Sequence, residues 1–442
     1  MIKGMNFIII SPRHWEHSMG TTAKSVAIEF SKLNRVLFIG PPLQRKLQLF
    51  HRHLPEVQKY RKIIQGKSPE LIQINKNLQV FFPKTVLESI NWISNKLIFN
   101  YLHRINERRL SKQLRYVIKK LNFSDYIIFN DTSMLIGFYF KEYLNPKLHI
   151  YLIRDAVVMA DYHSRHGKEF EPRLIRKSDL IVTNSDFFAD YARKINPNSH
   201  MVGQGCDVSI YCDPDSQLPV PADLDRIEHP RIGYVGFLTT IRLDIDLLIY
   251  IAMKRPDLNI VLVGPEDEKF RKCKLHEIKN IYFLGIKDQS QLPGYIKGFD
   301  VAINPQIVNT ITDVNYPLKI DEYLAMGKPV VATKTTFMNY FRDYVYLAET
   351  KEEYVALIEK ALLENSPEKE KARIDLAKCH SWKKYSEKVY TQIELLLACG
   401  REKKNAVPSP FSDSRRFSPS SSFKNPLTNN RNIGKSHSSI KE

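Results

Sequence analysis

Short, wholly apolar runs alternate with amphipathic stretches of helical period along most of this 442-residue chain. Strands that are apolar throughout are buried on both faces, as in parallel sheets covered by helices. Parallel neighbours also need a long crossover between them, which the amphipathic stretches supply. The pattern therefore predicts an α/β fold. The predicted strands span 6–11, 35–39, 78–82, 126–129, 149–153, 180–183, 231–235, 259–263, 281–284, 301–303 and 329–332.

The alternation is interrupted at 213–230, where DPDSQLPVPADLDRIEHP contains four prolines and several acidic residues. Such a composition is typical of an interdomain linker. We therefore expect a Rossmann-like, doubly wound domain at 1–212, a linker at 213–229 and a second such domain at 230–400. Residues 401–442 contain ten Ser and nine Lys or Arg against three acidic residues, so we expect a disordered basic tail there.

The chain is strongly basic, with a formal net charge of +18 and a pI of about 9.4. Such a protein is attracted to polyanions, which include nucleic acid, an anionic membrane surface and a phosphorylated substrate. Two basic stretches, 45–67 and 104–120, interleave cations with Leu, Ile, Phe and Tyr at loosely helical spacing. They are either helices that lie against anionic headgroups or the solvated faces of ordinary helices.

Three features bear on location. No window offers the roughly twenty uncharged apolar residues of a membrane span. The apolar MNFIII leads into SPRHWEH without a small-residue cleavage site, so export by a signal peptide is not expected. The five cysteines are scattered and lack a CxxC pair, as in a protein with reduced thiols. We expect a cytoplasmic protein, peripheral on the inner face of the plasma membrane.

The most informative stretch is NYPLKIDEYLAMGKPVVAT at 315–333. It predicts a short helix that follows Pro317 and ends at Gly327, then a buried strand. A cation in the first helical turn is unfavourable, because it opposes the helix dipole. We therefore expect Lys319 to face a bound phosphate beside the free amides of the helix N-terminus. Glu322 projects from the same helix, where a carboxylate commonly binds ribose hydroxyls.

Two glycine turns in the same half point to the same crevice. In RIGYVGFLTT, Gly233 and Gly236 would let the backbone approach a ligand, although a tight strand-to-helix turn explains them equally well. IVLVGPED repeats the arrangement at Gly264. Ligands of doubly wound sheets bind at the carboxyl ends of the strands, so these turns and the Lys319 helix should share one crevice.

Three quoted runs carry a family resemblance: GYVGFLTT, NIYFLGIKDQSQLPGYIKGFDVAINP and YPLKIDEYLAMGKPVVAT. Together they resemble the donor half of retaining glycosyltransferases of family four, and within it the teichuronic-acid type. The resemblance covers about 230–385. It implies the GT-B architecture, two Rossmann-like domains facing a cleft, and a UDP- or GDP-linked sugar as donor. Glu322 matches the second Glu of the family's motif of two Glu separated by seven residues.

The sequence departs from the family pattern in two places. Eight residues before Glu322 the family has another Glu, where this chain has Val314. Either the adjacent Asp313 takes its place or the sugar-contacting carboxylate is absent. The Arg–Lys pair that follows the first glycine turn is reduced to Arg242 and Leu243, which leaves Arg242 to neutralise the diphosphate.

The first half resembles the acceptor domain of the same family. The resemblance puts the small-residue loop after the first strand near the transferred sugar, with His17, Gly20 and Thr21 facing the sugar or acceptor. Trp15 either stacks on a ring or packs in the core. Arg154 and Asp155 end a strand where family members contact sugar or acceptor, although Asp155 would also suit a helix N-cap. The family also implies that the helix in HSWKKYSEKVYTQIELLLA crosses back onto this domain.

The expected activity is glycosyl transfer to a saccharide or a polyprenyl-diphosphate-linked acceptor in cell-surface polysaccharide biosynthesis, with retention. Asp155, Asp313 and Glu322 are the candidate catalytic residues. No permanently bound cofactor and no metal are expected, because Lys319 and Arg242 would stabilise the leaving diphosphate and DID at 244–246 reads as a helix cap.

Two alternatives stay open. Val314 is compatible with a catalytically inactive GT-B protein that serves as a scaffold. The charge alone would suit a nucleic-acid-binding protein, but the chain lacks a recognised motif for that, and no nucleic-acid partner is expected.

Overall fold

The computed structural model describes residues 2–16, 21–155, 161–211, 218–310 and 312–405. Two sheets follow one another along the chain. The strands of the first are β1 (Asn6–Ile10), β2 (Arg35–Ile39), β3 (Leu71–Asn75), β4 (Leu78–Phe81), β5 (Ile127–Asp131), β6 (Leu148–Ile153), β7 (Leu180–Thr183) and β8 (Ser199–Met201). They lie in the order β3-β4-β2-β1-β5-β6-β7-β8, with all neighbours parallel except β3 and β4.

The second sheet has six strands, in the order β11-β10-β9-β12-β13-β14, and every described pair is parallel. Its strands are β9 (Arg231–Val235), β10 (Asn259–Val263), β11 (Ile281–Gly285), β12 (Val301–Asn304), β13 (Val330–Thr333) and β14 (Tyr346–Ala348). The α/β prediction is confirmed. All eleven predicted strands are present to within a residue or two at their ends.

Helices connect the strands and cover both sheets. They are α1 (Thr22–Ser31), α2 (Arg45–Phe50), α3 (Pro55–Ile64), α4 (Lys96–Lys120), α5 (Phe140–Leu144), α6 (Asp161–Lys177), α7 (Asp186–Arg193), α8 (Val208–Tyr211), α9 (Ala222–Asp225), α10 (Ile245–Lys254), α11 (Glu268–Arg271), α12 (Leu292–Lys297), α13 (Lys319–Ala325), α14 (Lys351–Leu363), α15 (Pro367–Cys379) and α16 (Trp382–Asn405). Short 3₁₀ helices lie at Lys274–Glu277 and Phe337–Phe341. The cap predicted from DID is confirmed, because Asp244 accepts the Leu247 amide at the start of α10.

The last helix belongs to the core of the first half. Its residues Val389, Tyr390 and Ile393 are buried in one cluster with Phe7 and Phe30. The Tyr390 hydroxyl also accepts a hydrogen bond of 2.9 Å from the Asn34 amide. The helix in the predicted position therefore packs on the acceptor-like half, as the family resemblance implied.

Four details differ from the sequence predictions. β3 is antiparallel, and β3, β8 and β14 were not predicted, because each is short or largely exposed and carries a weak apolar signal. The expected linker contains the short helix α9, whose Asp223 pairs with Lys287 and Tyr295. Residues 401–405 continue α16, whereas the rest of the expected disordered tail lies outside the described residues.

Gly233 has a packing role that differs from the predicted one. It lies within β9, and a Cβ there would be 2.1 Å from the ring of Phe299. This glycine admits an aromatic ring to the core and does not face a ligand.

We expect Gly233→Ala to lower the free energy of unfolding by about 1–3 kcal/mol, because the added methyl overpacks the core against Phe299. Urea denaturation measures the change. In the Gly233→Ala/Phe299→Leu double variant the two losses should be less than additive, since the smaller side chain makes room for the methyl. Full additivity would show that the ring is not the obstacle.

Candidate active site

Two glycine turns meet at the carboxyl edge of the second sheet. Gly236 follows β9 with φ 150° and Gly264 follows β10 with φ 144°. A Cβ on Gly264 would lie 1.9 Å from the carbonyl oxygen of Gly236, so the two turns pack backbone against backbone. The Gly236 amide donates to the Val263 carbonyl at 2.9 Å. Both positions require glycine, and together they form an open backbone surface at the strand ends.

Lys319 lies against the first of these turns. Its Nζ donates to the Tyr234 hydroxyl at 2.5 Å and sits 4.2 Å from the centre of that ring. A Cβ on Gly236 would be 3.2 Å from the same Nζ. The ammonium is therefore held at the glycine turn, as the crevice prediction requires. Sequence reasoning missed Tyr234, because a buried aromatic in a strand gives no functional signal of its own.

The predicted row of free amides at the start of α13 is not present. The amides of Ile320, Asp321 and Glu322 donate to the carbonyls of Pro317 and Leu318. These bonds close the first turn onto the preceding residues. Positive charge at this end of the crevice comes chiefly from the Lys319 side chain.

Glu322 lies one turn further along α13. Its carboxylate is hydrogen-bonded by the hydroxyl of Tyr211, the last residue of α8. Burial raises the pKa of Glu322 to about 7, against the opposing effects of Tyr211 and Lys319. Ionising this carboxyl group at neutral pH therefore costs free energy, because the charge is buried. A ligand that donates hydrogen bonds to the carboxylate would lower that cost.

Asp321 on the same helix anchors α13 to the segment that precedes α16. Its carboxylate is fully buried, with Oδ1 2.7 Å from His380 Nδ1, and Oδ2 accepts from the Tyr316 hydroxyl at 2.6 Å. His380 Nε2 lies 3.1 Å from the hydroxyl of Tyr340. The network fixes the orientation of Lys319 and Glu322 through their own helix. It was missed because its members are up to 64 residues apart.

The two residues at the altered family motif have structural partners. Both carboxylate oxygens of Asp313 bind Thr336, one through the amide and one through the hydroxyl, each at 2.8 Å. Val314 is buried in a cluster formed by residues of the first half, among them Phe138 and Tyr151. Val314 therefore provides apolar contact between the halves where the family has a carboxylate.

On the first half, β5 and β6 end in a charged cluster. Arg154 donates to Asp131 through Nε at 2.7 Å and to Asp155 through Nη1 at 2.5 Å. Asp131 is fully buried, and the next residue, Thr132, has φ 54° and bonds to it. The sequence predicted Arg154 and Asp155 but not Asp131. The Asn-Asp pair that ends β5 is only weak evidence in the sequence for a functional role of Asp131.

Asp155 also lies within the electrostatic reach of the second half. Burial raises the pKa of Asp155, while the Arg154 guanidinium lowers it, the Asp131 carboxylate raises it and the Arg242 guanidinium lowers it. Arg242 is exposed on the loop that follows the Gly236 turn. Arg154 contacts Asp155 directly, and Arg242 acts on Asp155 electrostatically from the other half of the chain.

A cavity of about 480 Å³ opens beside this cluster. Arg154 and Asp155 line it, together with Arg13 after β1 and the loops that follow β2 and β5. Its inner wall includes two buried residues of α4, His103 and Glu107. The sequence contains no motif for it, because the wall is assembled from six separate stretches of chain.

The groups in the inner wall are neutralised by burial. Burial lowers the pKa of His103 to about 4, and its Nε2 bonds to the Leu135 carbonyl at 2.7 Å. Burial raises the pKa of Glu107 to about 8, although the carboxyl group accepts the amides of Gly137 and Tyr139. These two groups are therefore uncharged near neutral pH, and the charges of the cavity lining are those of Arg13, Glu88, Arg154 and Asp155.

The other acceptor-side residues have structural contacts or lie outside the described residues. Thr21 caps α1 by accepting the Lys24 amide, and Trp15 packs on Phe38 at 5.0 Å between ring centres, in line with the core alternative. His17 and Gly20 lie outside the described residues. Gly205 lets α16 approach, because a Cβ there would be 2.1 Å from the indole of Trp382.

No group of three His, Cys, Asp or Glu suited to a metal ion occurs in the part of the chain that the structure describes. Within the same residues, none of the helices combines the length and the apolar character needed to cross a membrane.

Solved structures with a similar fold include GT-B glycosyltransferases. Sucrose-phosphate synthase (tll1590) from Thermosynechococcus elongatus aligns with 89% of this chain and 100% of its own, with a TM-score of 0.63 and 14% identity. Alr3699/HepE from Anabaena, solved in complex with UDP and glucose, aligns with 88% of this chain and 99% of its own, with a TM-score of 0.59 and 13% identity. At such identities the likeness shows the fold.

Residues 229–363 match the family model described as Glycosyl transferases group 1. The chain carries a glycosyl transferases group 1 domain on a GT-B fold. The matched segment contains Gly236, Gly264, Arg242, Lys319 and Glu322. The resemblance of this segment to group 1 glycosyltransferases is confirmed.

A curated relative extends the comparison. The chain is 27% identical over 239 residues to the "Putative teichuronic acid biosynthesis glycosyltransferase TuaH" of Bacillus subtilis (strain 168). The match covers 51% of this chain and 59% of the relative, so it spans little more than half of each protein.

The raised pKa of Glu322 predicts a pH-dependent stability cost in the nucleotide-free GT-B protein. The folded chain holds this proton between the ordinary pKa of 4.5 and about 7, so stability falls as the pH rises through that window. We compare the free energy of unfolding of Glu322→Gln with that of the wild-type chain at each pH. The variant's advantage should be about 1–3 kcal/mol larger at pH 8 than at pH 4.5, because Gln carries no charge to bury.

Urea denaturation at the two pH values measures this difference. Glu56→Gln, at an exposed position of α3, is the matched control and should show no such gain. An equal pH response of the two variants would contradict the burial of the Glu322 charge.

Proposed function

We propose that the chain transfers a sugar from a nucleoside-diphosphate donor, UDP- or GDP-linked, to a hydroxyl of a saccharide or lipid-linked acceptor, with retention of the anomeric configuration. The observation that carries the proposal is the placement of Lys319. Its ammonium lies at the Gly236 turn, on the same helix as Glu322, and at the strand ends where nucleotides bind in doubly wound sheets.

Lys319 and Arg242 would stabilise the diphosphate as it leaves. Negative charge grows on the leaving oxygen during transfer, and fixed cations lower the barrier without reorganising. Glu322 would accept hydrogen bonds from the ribose hydroxyls, which would relieve the cost of its buried charge. In this mechanism, side chains stabilise the charge of the leaving diphosphate, and no metal is needed. The HepE structure, solved with UDP and glucose, supports a UDP-linked donor.

The cavity of the first half would hold the acceptor. Asp155 lines this cavity, and the Arg242 guanidinium of the donor half lowers the pKa of that carboxyl group. Asp155 would accept a hydrogen bond from the attacking hydroxyl and orient it. With retention, that hydroxyl would attack on the face from which the diphosphate leaves, and an oxygen of the departing diphosphate would take its proton as the new glycosidic bond forms. Arg154 would hold Asp155 in position, since Asp131 fixes Arg154 from behind.

A role in cell-surface polysaccharide biosynthesis is supported by the relative with a teichuronic acid name. A polyprenyl-diphosphate-linked acceptor would put the proposed work at the inner face of the plasma membrane. The chain's charge of +18 suits both a diphosphate and an anionic bilayer. The domain limits proposed above, 1–212 and 230–400, assign acceptor and donor binding to separate halves.

A second candidate is a GT-B protein that binds the nucleotide sugar without turning it over. It is favoured by Val314, which packs in the first half, and by Asp313, whose oxygens are engaged by Thr336. Neither residue is free to hold the sugar as the family's first Glu does. Turnover separates the two candidates, because a scaffold releases no nucleoside diphosphate.

We expect Asp155→Asn to lower kcat by about 10²-fold while leaving nucleotide affinity within a few-fold, because the carboxylate that orients the attacking hydroxyl is lost but the donor site is intact. Nucleoside diphosphate release from UDP-glucose, UDP-N-acetylglucosamine and GDP-mannose, with and without a membrane extract as acceptor, measures turnover. Asp190→Asn, on the exposed face of α7, is the matched control. Normal turnover by Asp155→Asn would remove this residue from the mechanism.

Retention makes a separate prediction about the product. The new glycosidic bond should have the same anomeric configuration as the donor, which proton coupling constants at the anomeric carbon report. An inverted product would keep the transferase proposal and overturn its stereochemistry.

A further inference from the structure

Six large apolar side chains stand exposed on two segments beside the cavity. Leu97 is 81% exposed, and Trp92 and Phe50 are each 72% exposed. We call this set the apolar rim: Leu49, Phe50, Trp92, Leu97, Ile98 and Tyr101. Neighbouring apolar side chains held in water are unfavourable, and a contiguous group of them marks an interaction surface.

The two segments of the rim are anchored to the same short stretch of chain. Arg45, the first residue of α2, donates its amide to the Leu87 carbonyl at 2.8 Å. The Lys46 amide donates to the Ser89 hydroxyl at 3.0 Å, and the Trp92 indole donates to the Ser89 carbonyl at 2.7 Å. The Trp92 ring is thus held outward by a hydrogen bond.

That shared stretch is also a wall of the cavity. Leu87, Glu88, Ile90 and Asn91 line the cavity, as does Gln44 immediately before α2. The apolar rim therefore borders the proposed acceptor site.

The rim is set in a basic surface. Residues 44–54 contain Arg45, Lys46 and Arg52 and no acidic residue. Along 91–109 there are four cations and one acid, Glu107, which is buried. Glu88, between the segments, is neutralised by Arg45 and Arg109. Anionic headgroups complement such a surface.

The first turns of α4 have one exposed apolar face and one buried face. Leu97, Ile98 and Tyr101 are exposed, whereas Phe99 and His103 are buried against the first half. Lys96 lies among the exposed residues and pairs with Glu169 at 3.1 Å. An aromatic and aliphatic face flanked by cations is the composition of surfaces that insert shallowly into a bilayer.

We propose that the apolar rim and its cations dock this protein on an anionic phospholipid bilayer, with the cavity wall formed by 87–91 on the membrane side. A lipid-linked acceptor then reaches the cavity from the bilayer itself; only this last step rests on the proposed function. A protein partner seated on the rim would instead cover the cavity that the acceptor must enter.

Vesicle flotation tests the docking directly. The full chain should float with vesicles of phosphatidylcholine and phosphatidylglycerol at 7:3, and much less with phosphatidylcholine alone or at high salt. Phe50→Ser/Leu97→Ser should lower the partition coefficient by about tenfold or more, because two inserting side chains are lost. The matched control is Met253→Ser/Leu363→Ser, at side chains 69% and 85% exposed in the other half.

Trp92 provides a second readout. Brominated lipids should quench its fluorescence on binding, and Trp92→Phe should remove most of that quenching. UDP binding by each variant, measured in parallel, reports folding and the donor site independently. The proposal is overturned if the full chain does not float, or if the rim variant floats like the control. It is also overturned if light scattering shows a dimer that the rim variant abolishes.

Discussion

The packing of α16 onto the first half is the constraint on which the site depends. The helix begins at Trp382, whose indole fills the space left by Gly205, and it places Val389 and Ile393 in the core of the first half. Two residues before it, His380 binds Asp321 within the donor helix α13. One short segment thus joins the helix that carries Lys319 to the half that carries Asp155.

This connection explains the electrostatics of the cleft. Arg242 of the second half acts on Asp155 of the first, and Val314 of the second half is buried in an apolar cluster of the first. At the position where the resemblance implies a carboxylate, Val314 makes an apolar contact between the halves.

Much of the architecture could be predicted because it is encoded locally. Buried parallel strands are continuously apolar, and the turns at Gly236 and Gly264 and the helix from Lys319 appear as short contiguous patterns. Tyr234, Asp131 and His380 could not be predicted, since each acquires its partner from a distant part of the chain. The prediction of free amides at the start of α13 was wrong for a local reason. The amides of the first turn donate to the carbonyls of Pro317 and Leu318.

Nucleotide binding tests the central claim, that the crevice around Lys319 is the donor site. Calorimetric titration of UDP, GDP and TDP should find one nucleotide that binds the full chain and, equally well, Lys272→Ala, an exposed control after α11. Lys319→Ala should weaken that nucleotide by at least about tenfold, because a charge-assisted contact to the diphosphate is lost. Equal affinity for all three proteins, or no binding to the folded chain, would contradict the account.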